Sequence, residues 1–292
     1  MTLKLTVIIL NYKKYEDLHR AISSVNNQIG LNNLEIKIHI TDNASGDENT
    51  KKIQQCFPLN SYMYNKENLG FARAVNQAIK LNIGSDYFML LNDDAEIAPD
   101  CLKNLLKNNQ QDAIVGPAIF YKSKPDTIWQ GGGYFNKYKL GIIIPEKNKR
   151  LLKENRENVD FLSGCVILIP KKLIEKIGYF DEKFFFYGED LDFCIRAKKS
   201  GFKIIYERKA HAWHNIEDIS KDRTSPFVLE NLAIAYFLII RKHFKIFRFY
   251  GIFLFVFLYT PFRFFQILKG GGNIQSIKYW ILGGKIGWQK KI

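Results

Sequence analysis

Through residues 1–120, short runs of β-branched and aliphatic residues alternate with amphipathic helical stretches. No other feature constrains the fold as tightly. A strand, a crossover helix and a second strand build a parallel pair, so the repeat specifies an α/β fold whose mostly parallel sheet carries helices on both faces. Strands are expected near Lys4 to Leu10, Glu35 to Asp42, Ser61 to Asn65, Tyr87 to Leu91 and Ala113 to Ile119. Helices are expected between them, over Tyr15 to Asn27, Glu48 to Cys56, Phe71 to Asn82 and Pro99 to Asn109. Pro99 suits a first helical position, where its missing N–H is not needed. Open sheets of this kind bind ligands beyond the carboxyl ends of their strands.

From about Thr127 to His214 the pattern is more mixed. Gly131-Gly132-Gly133 marks a turn, Phe161 to Ile169 reads as a buried strand, and Pro170 stops it before a helix over Lys171 to Ile177. Glu189 to Ser200 reads as a further helix, closed by Gly201 at the left-handed cap position. The expected division is a domain over 1–225, with halves at about 1–120 and 121–225, and a helical module over 226–292.

Charge sets that module apart. The chain carries a formal +14 at pH 7, of which +10 lies between Asn231 and Ile292, where ten Lys or Arg meet no Asp or Glu. Gly251 to Phe262 is a run of twelve uncharged residues, broken by Pro261 and followed at once by Arg263. A spanning helix needs roughly 20 apolar residues, so this run predicts a helix lying in the plane of a membrane, with burial against the protein as the alternative. A domain cut near Glu230 is then expected to be soluble and still to bind its ligand. The four cysteines are scattered with no C-x-x-C pair, which suggests neither a zinc ribbon nor a disulfide framework and fits a reducing cytoplasm. Leu5 to Leu10 is too short for a signal-peptide core and reads as the first strand.

Acidic residues gather where strands end. Asp42 closes the second strand in Ile40-Thr41-Asp42-Asn43-Ala44-Ser45; it can accept from a base N–H or a ribose hydroxyl, or equally organise the turn before the next helix. In Leu90-Leu91-Asn92-Asp93-Asp94-Ala95-Glu96 an apolar strand runs into adjacent carboxylates, whose repulsion calls for a cation; a divalent ion bridging to phosphates supplies one. Phe186-Tyr187-Gly188-Glu189-Asp190-Leu191-Asp192 opens a helix with three acids behind an aromatic run. The helix dipole favours such acids, and a carboxylate beside an apolar wall also gains the basicity of a general base. His214, three residues after His211, is a candidate ligand or an ordinary structural histidine. Asn68-Leu69-Gly70-Phe71-Ala72-Arg73 opens a helix with Gly and Arg, which suits a pyrophosphate contact or a simple cap.

In order and spacing, these segments resemble the GT-A fold glycosyltransferases of the large second sequence family, in particular its bacterial rhamnosyltransferase-like branch, over about residues 4 to 220. Val7-Ile8-Ile9-Leu10-Asn11-Tyr12 looks like that family's first strand and base-binding loop, and Asp42 like the acid that contacts the nucleoside. Asn68, Gly70 and Arg73 fall at its helix start beneath the donor. Asn92-Asp93-Asp94 falls at its D-x-D metal motif, with Asn92 in place of the first acid. The resemblance thus assigns Asn11, Asp42, Asn68, Gly70, Arg73 and Asp93 to the donor pocket, Asp94 and His214 to a metal, and the catalytic base to Asp190. It implies a Rossmann-like GT-A domain and a metal-dependent inverting transfer, from dTDP-rhamnose or a UDP-sugar to a glycan hydroxyl in cell-surface polysaccharide assembly. Mixed oxygen and nitrogen ligation suits Mn²⁺ or Mg²⁺. The implied acceptor is lipid-linked, and the implied location is cytoplasmic, peripheral on the inner face of the cell membrane.

Rival readings are weaker. No G-x-G-x-x-G follows the first strand, against a nicotinamide dehydrogenase, and Asn11-Tyr12-Lys13-Lys14 is not the Gly- and Arg-rich loop of a nucleotidyltransferase. A basic nucleic-acid-binding protein is the non-enzyme alternative, but Phe253 to Leu258 is an unbroken apolar run rather than aromatics interleaved with charge. A catalytically dead sugar-binding relative is the third.

Overall fold

The computed structural model describes residues 2–46, 48–107, 111–144, 156–216, 224–269, 273 and 275–292. In chain order its first strands are β1 (Leu3–Asn11), β2 (Leu34–Asp42), β3 (Ser61–Tyr64), β4 (Tyr87–Asn92), β5 (Ala95–Ile97) and β6 (Ala113–Tyr121). They are followed by β7 (Lys124–Gln130), β8 (Tyr134–Asn136), β9 (Gly141–Ile143), β10 (Arg156–Asn158), β11 (Val166–Pro170) and β12 (Lys203–His214). The main sheet runs β10-β12-β6-β11-β4-β1-β2-β3, with β5 paired to β12 and β7 to β6; β8 and β9 form a separate hairpin. β1 to β4 are mutually parallel, as the alternating pattern requires.

The connecting helices are α1 (Tyr15–Asn26), α2 (Asn49–Cys56), α3 (Phe71–Leu81), α4 (Cys101–Leu105), α5 (Lys171–Ile177) and α6 (Glu189–Lys199). Successive side chains of a strand point to opposite faces, so Val7 and Ile9 of β1 pack under α1, α2 and α4, while Ile8 packs under α3, α5 and α6. Strands covered on both sides read as continuous apolar runs, as Tyr87 to Leu91 does.

Four differences from the sequence expectation have local causes. The fourth expected helix is only Cys101–Leu105, because Ala98 and Pro99 are tied in a turn: the Pro99 carbonyl accepts from Ile29 N–H at 2.8 Å and the Ala98 carbonyl from Gln28 Nε2 at 2.7 Å. Residues 108 and 109 of that expectation lie outside the described residues. The buried strand starts at Val166, since Phe161 exchanges backbone hydrogen bonds with Gly133. It also runs antiparallel between β4 and β6. β12, read only as mixed, is interrupted by a bulge between Glu207 and His211, which hides its alternation.

Beyond residue 225 come α7 (Pro226–His243), a continuous helical segment α8 (Lys245–Lys269) and α9 (Ser276–Gln289). Ser225 Oγ accepts from Val228 N–H at 3.3 Å and Pro226 takes the first helical position, an ordinary helix start. α7 lies along α6, packing Ala235, Leu238 and Ile239 against Phe184, Leu191 and Ile195. α9 lies so close to α7 that a Cβ at Gly287 would sit 2.7 Å from the Ile234 carbonyl, a contact only glycine permits. Phe255 of α8 stacks on Trp280 at 4.7 Å. The module is thus docked on the domain, and a cut near Glu230 severs α7 near its start and uncovers Phe184. α8 is also longer than its uncharged stretch: Pro261 follows a π-helical turn (Phe255–Tyr259) and does not end the helix. By length and composition alone the segment is sufficient to cross a membrane.

Candidate active site

The antiparallel placement of β11 creates the site. Val166 pairs with Leu91, and Asn92 N–H donates to the Cys165 carbonyl at 2.9 Å, so the loop entering β11 lies beside the acids leaving β4. From the other side, α6 brings Asp190, whose Oδ2 accepts from Gly164 N–H at 3.2 Å and Oδ1 from Leu191 N–H at 2.8 Å. Burial pushes the Asp190 carboxyl above the usual carboxylate range, and the two N–H groups offset only part of that. Glu189 is pushed well up by burial and then by the Asp190 charge. Beneath them the Cys165 thiol is pushed well up, first by its own burial and then by the charges of Asp94, Asp93 and Asp190.

Asp94 and His214 meet. Pairing of β5 with β12 sets His214 opposite Ala95, and His214 Nε2 lies 2.8 Å from Asp94 Oδ1. The Trp129 ring stands edge-on to the imidazole, 4.4 Å between centroids, and the buried Nδ1 lacks a hydrogen-bond partner among the described residues. Asp93 turns elsewhere: its Oδ2 accepts from Tyr12 N–H at 3.0 Å. Burial, then the Asp94 charge, pushes its carboxyl well above the usual range. The Asp94–His214 pair is hydrogen-bonded to itself, and its ring nitrogen and carboxylate oxygen are donor types that suit a divalent cation. Among the described residues no group of three or more His, Cys, Asp or Glu gathers as a ready-made metal cage.

The remaining sequence candidates fall in two groups. Asp42 and Asn11 are buried together: Asp42 Oδ2 accepts from Asn11 Nδ2 at 3.0 Å and from the Thr50 hydroxyl, and Oδ1 accepts from Ser45 N–H at 2.8 Å. The turn-organising role of Asp42 is therefore visible directly. Asn68 Oδ1 accepts from Gly70 N–H at 2.9 Å and from Asn43 Nδ2 at 2.8 Å, which shapes the entry to α3. The first N–H of that helix, on Phe71, is already taken by the Phe185 carbonyl at 2.9 Å, so this helix end does not offer that donor to a pyrophosphate. Gly70 has φ +75°, and a Cβ there would come 2.5 Å from the same carbonyl, so its glycine is needed for loop packing. Arg73 is exposed on α3.

Sequence reasoning missed Asn43, whose Oδ1 accepts from Leu69 N–H at 3.1 Å and Asn65 Nδ2 at 3.0 Å and so joins the loop after β2 to the start of α3. It also missed Gly164, which acts through its backbone N–H; a lone glycine before a strand carries no chemical signal. Asn43 adjoins Asp42, and an Asn at a strand end was the available clue.

Comparison with known proteins matches residues 6–178 to Glycosyl transferase family 2. The low-salt glycan biosynthesis hexosyltransferase Agl10 of Haloferax volcanii is 26% identical over 221 residues, covering 72% of this chain and 67% of that protein. The N-acetylglucosaminyl-diphospho-decaprenol L-rhamnosyltransferase of Mycobacterium tuberculosis is 24% identical over 243 residues, covering 74% of this chain and 77% of that protein. Among solved structures, GalNAc-T7 with UDP, GalNAc and Mn²⁺ superposes with a TM-score of 0.65 at 15% identity, over 99% of this chain and 56% of that one. That likeness is one of fold.

Proposed function

This chain belongs to glycosyl transferase family 2, and on that footing we propose that it moves a sugar from a nucleoside-diphosphate donor to a hydroxyl of a lipid-linked glycan in one inverting displacement. The observation that carries the reading is the loop before β11, where the Cys165 carbonyl accepts from Asn92 N–H at 2.9 Å and Gly164 N–H donates to Asp190 at 3.2 Å, so that the Asp190 of α6 is held beside the acids that follow β4. Asp190 takes the proton of the attacking hydroxyl: burial raises its proton affinity, and the Gly164 and Leu191 N–H groups aim it. Asp94 and His214, hydrogen-bonded to each other at 2.8 Å, are the residues that would hold a divalent cation, Mn²⁺ or Mg²⁺, by a carboxylate oxygen and a ring nitrogen. When bound, such a cation supplies positive charge against the departing diphosphate. Asn11, Tyr12, Asp42 and Asp93 form the nucleoside side of the pocket, with Asn68 and Gly70 shaping its floor and the exposed Arg73 of α3 as the cation offered to the diphosphate.

The relatives support a choice of substrate class. One is named for a decaprenyl-diphosphate-linked acceptor and an L-rhamnosyl group, the other for a glycan hexosyl transfer. dTDP-rhamnose and UDP-sugars are the donors to try first. Turnover of at least one of them, lost in excess EDTA and restored by Mn²⁺ or Mg²⁺, is expected. Full activity in EDTA overturns the metal assignment, and failure of every donor to be transferred or hydrolysed supports a non-catalytic sugar-binding relative.

A lipid-linked acceptor brings the enzyme to a membrane, and α8 provides the surface for it. Its inner side, with Gly251, Leu254, Phe255 and Ile267, is buried against the module, while Ile246 is 89% exposed and Phe249 84%, in a stripe continued by Phe253, Phe257, Phe265 and Leu268. Lys245 and Arg248 stand at one end and Lys269 at the other, and each cation near an anionic leaflet contributes about 1 kcal/mol. Packing of α8 on α7, and of α7 on α6, supports a flat placement of α8 on the bilayer over a spanning one. We place the enzyme in the cytoplasm on the inner face of the cell membrane. Flotation of the full chain with anionic vesicles at low salt, weakened by Phe249→Asp with Phe257→Asp, is the expected result; no flotation overturns the membrane surface.

A further inference from the structure

The mechanism leaves unused one fully buried acid, Asp192, which lies on α6 two residues beyond the base. Its Oδ2 accepts from Arg196 Nε at 2.8 Å, within the same helix. Its Oδ1 lies 2.7 Å from both Lys242 Nζ and His243 Nε2, and those two residues close α7. Lys242 Nζ also donates to Asp181 Oδ2 at 2.7 Å. His243 Nδ1 lies 3.3 Å from Lys199 Nζ, so the imidazole accepts from the lysine on one side and donates to Asp192 on the other. Arg196 donates onward to the Ile177 and Tyr179 carbonyls, both at 2.9 Å. At the opening of α6, a Cβ on Gly188 would come 2.8 Å from the Ala235 side chain of α7. The catalytic turn therefore lies between two contacts with α7, one apolar at Gly188 and one ionic at Asp192.

We propose that Asp192 is a positioning residue for Asp190, and that the C-terminal module completes the active site by supplying Lys242 and His243 as its partners. A buried carboxylate is tolerated when it is paired and fully hydrogen-bonded, and only the module gives Oδ1 such partners among the described residues. Loss of Lys242 and His243 leaves Oδ1 without its partners and the buried charge matched by Arg196 alone, and relaxation of this turn of α6 displaces Asp190 from the attacking hydroxyl. Misplacement of a catalytic group by as little as an ångström costs orders of magnitude in rate, whereas donor binding on the β1 to β4 side is untouched.

The inference rests on the glycosyltransferase reading for its kinetic arm alone. In the full chain, Asp192→Asn and Lys242→Met are expected to lower kcat with the nucleotide sugar that the donor screen identifies by ~10-fold, with donor KM and Mn²⁺-UDP affinity within about two-fold of wild type. Lys242→Arg is expected to recover most of the rate, since it keeps the charge. Hydrogen exchange adds an arm independent of turnover: amides of residues 190–193 exchange faster in both variants, while those of β1 and β4 do not change. Wild-type kcat in folded Asp192→Asn and Lys242→Met, or an equal rise of exchange throughout the domain, overturns the proposal. If no donor is turned over by wild type, the family-based reading has failed and the exchange result alone decides whether the module holds the turn.

Discussion

Within one helical turn the same chemical group is treated in opposite ways. At the opening of α6, Glu189 and Asp190 are pushed up by burial, and among the described contacts neither is ion-paired. On the module side, burial also pushes Asp192 up, but His243, Arg196 and Lys242 outweigh it and hold the carboxyl well below the usual range. Asp181 repeats this pattern beside Lys242. The chain neutralises its own acids where it needs a fixed joint. It leaves Glu189 and Asp190 without a countercharge among the described contacts, and perturbed carboxylates of that kind mark candidate functional sites.

The largest expected effect comes from removing the proton acceptor at the opening of α6. Asp190→Asn should cut transfer by ~10² or more with nucleotide affinity nearly intact, because a general base acts in the transition state. For wild type, kcat should fall as pH drops through the raised Asp190 value, above the roughly 3.9 of an ordinary Asp. Near-normal transfer by the variant, or full activity down to pH 4, removes Asp190 from the role and dissolves the contrast with Asp192.

Next in size are the residues assigned to the cation. Asp94→Ala should weaken Mn²⁺-dependent UDP binding and turnover together, by ~10² in rate, and His214→Ala by ~10-fold, since the carboxylate supplies charge as well as coordination. Titration calorimetry with Mn²⁺ and UDP reads both. A His214 variant more damaged than the Asp94 variant would put the imidazole, not the acid, at the centre of the site.

The smallest expected effect is on stability. Because the folded state raises the Glu189 value, its contribution to stability is full below the unfolded value near 4.3 and is lost as pH rises through the folded one. Glu189→Gln should therefore melt higher than wild type at pH 8 without nucleotide or metal, and at the same temperature at pH 4. For Asp192 the sign reverses: its stability is present above the unfolded value and is lost as pH falls through the lowered one, so Asp192→Asn should melt lower at pH 8. Equal shifts in the two variants would mean that the unpaired and the paired acid do not differ.

The sheet and its crossover helices were legible because period-2 and period-3.6 patterns are local; Lys171 to Ile177 was read to the residue. The acids at the ends of β4 and at the start of α6 were legible as motifs. What joins them was not. The antiparallel insertion of β11, which brings Gly164 to Asp190, depends on strand order rather than on any local pattern. The docking of α7 escaped for a related reason: its basic end looks like a solvated or lipid-facing cluster until Asp181 and Asp192 are seen to meet it. Family membership, carried by residues 6–178, makes the chain a glycosyltransferase rather than a nucleic-acid-binding protein.

The central claim is that Asp190 drives a single displacement at the anomeric carbon, and the stereochemistry of the new linkage tests it most directly. With a donor of defined anomeric configuration, NMR of the freshly formed product should show the opposite configuration from the first turnovers onward. Retention of the donor's configuration would require a second nucleophile or a different route, and would contradict the role given to Asp190.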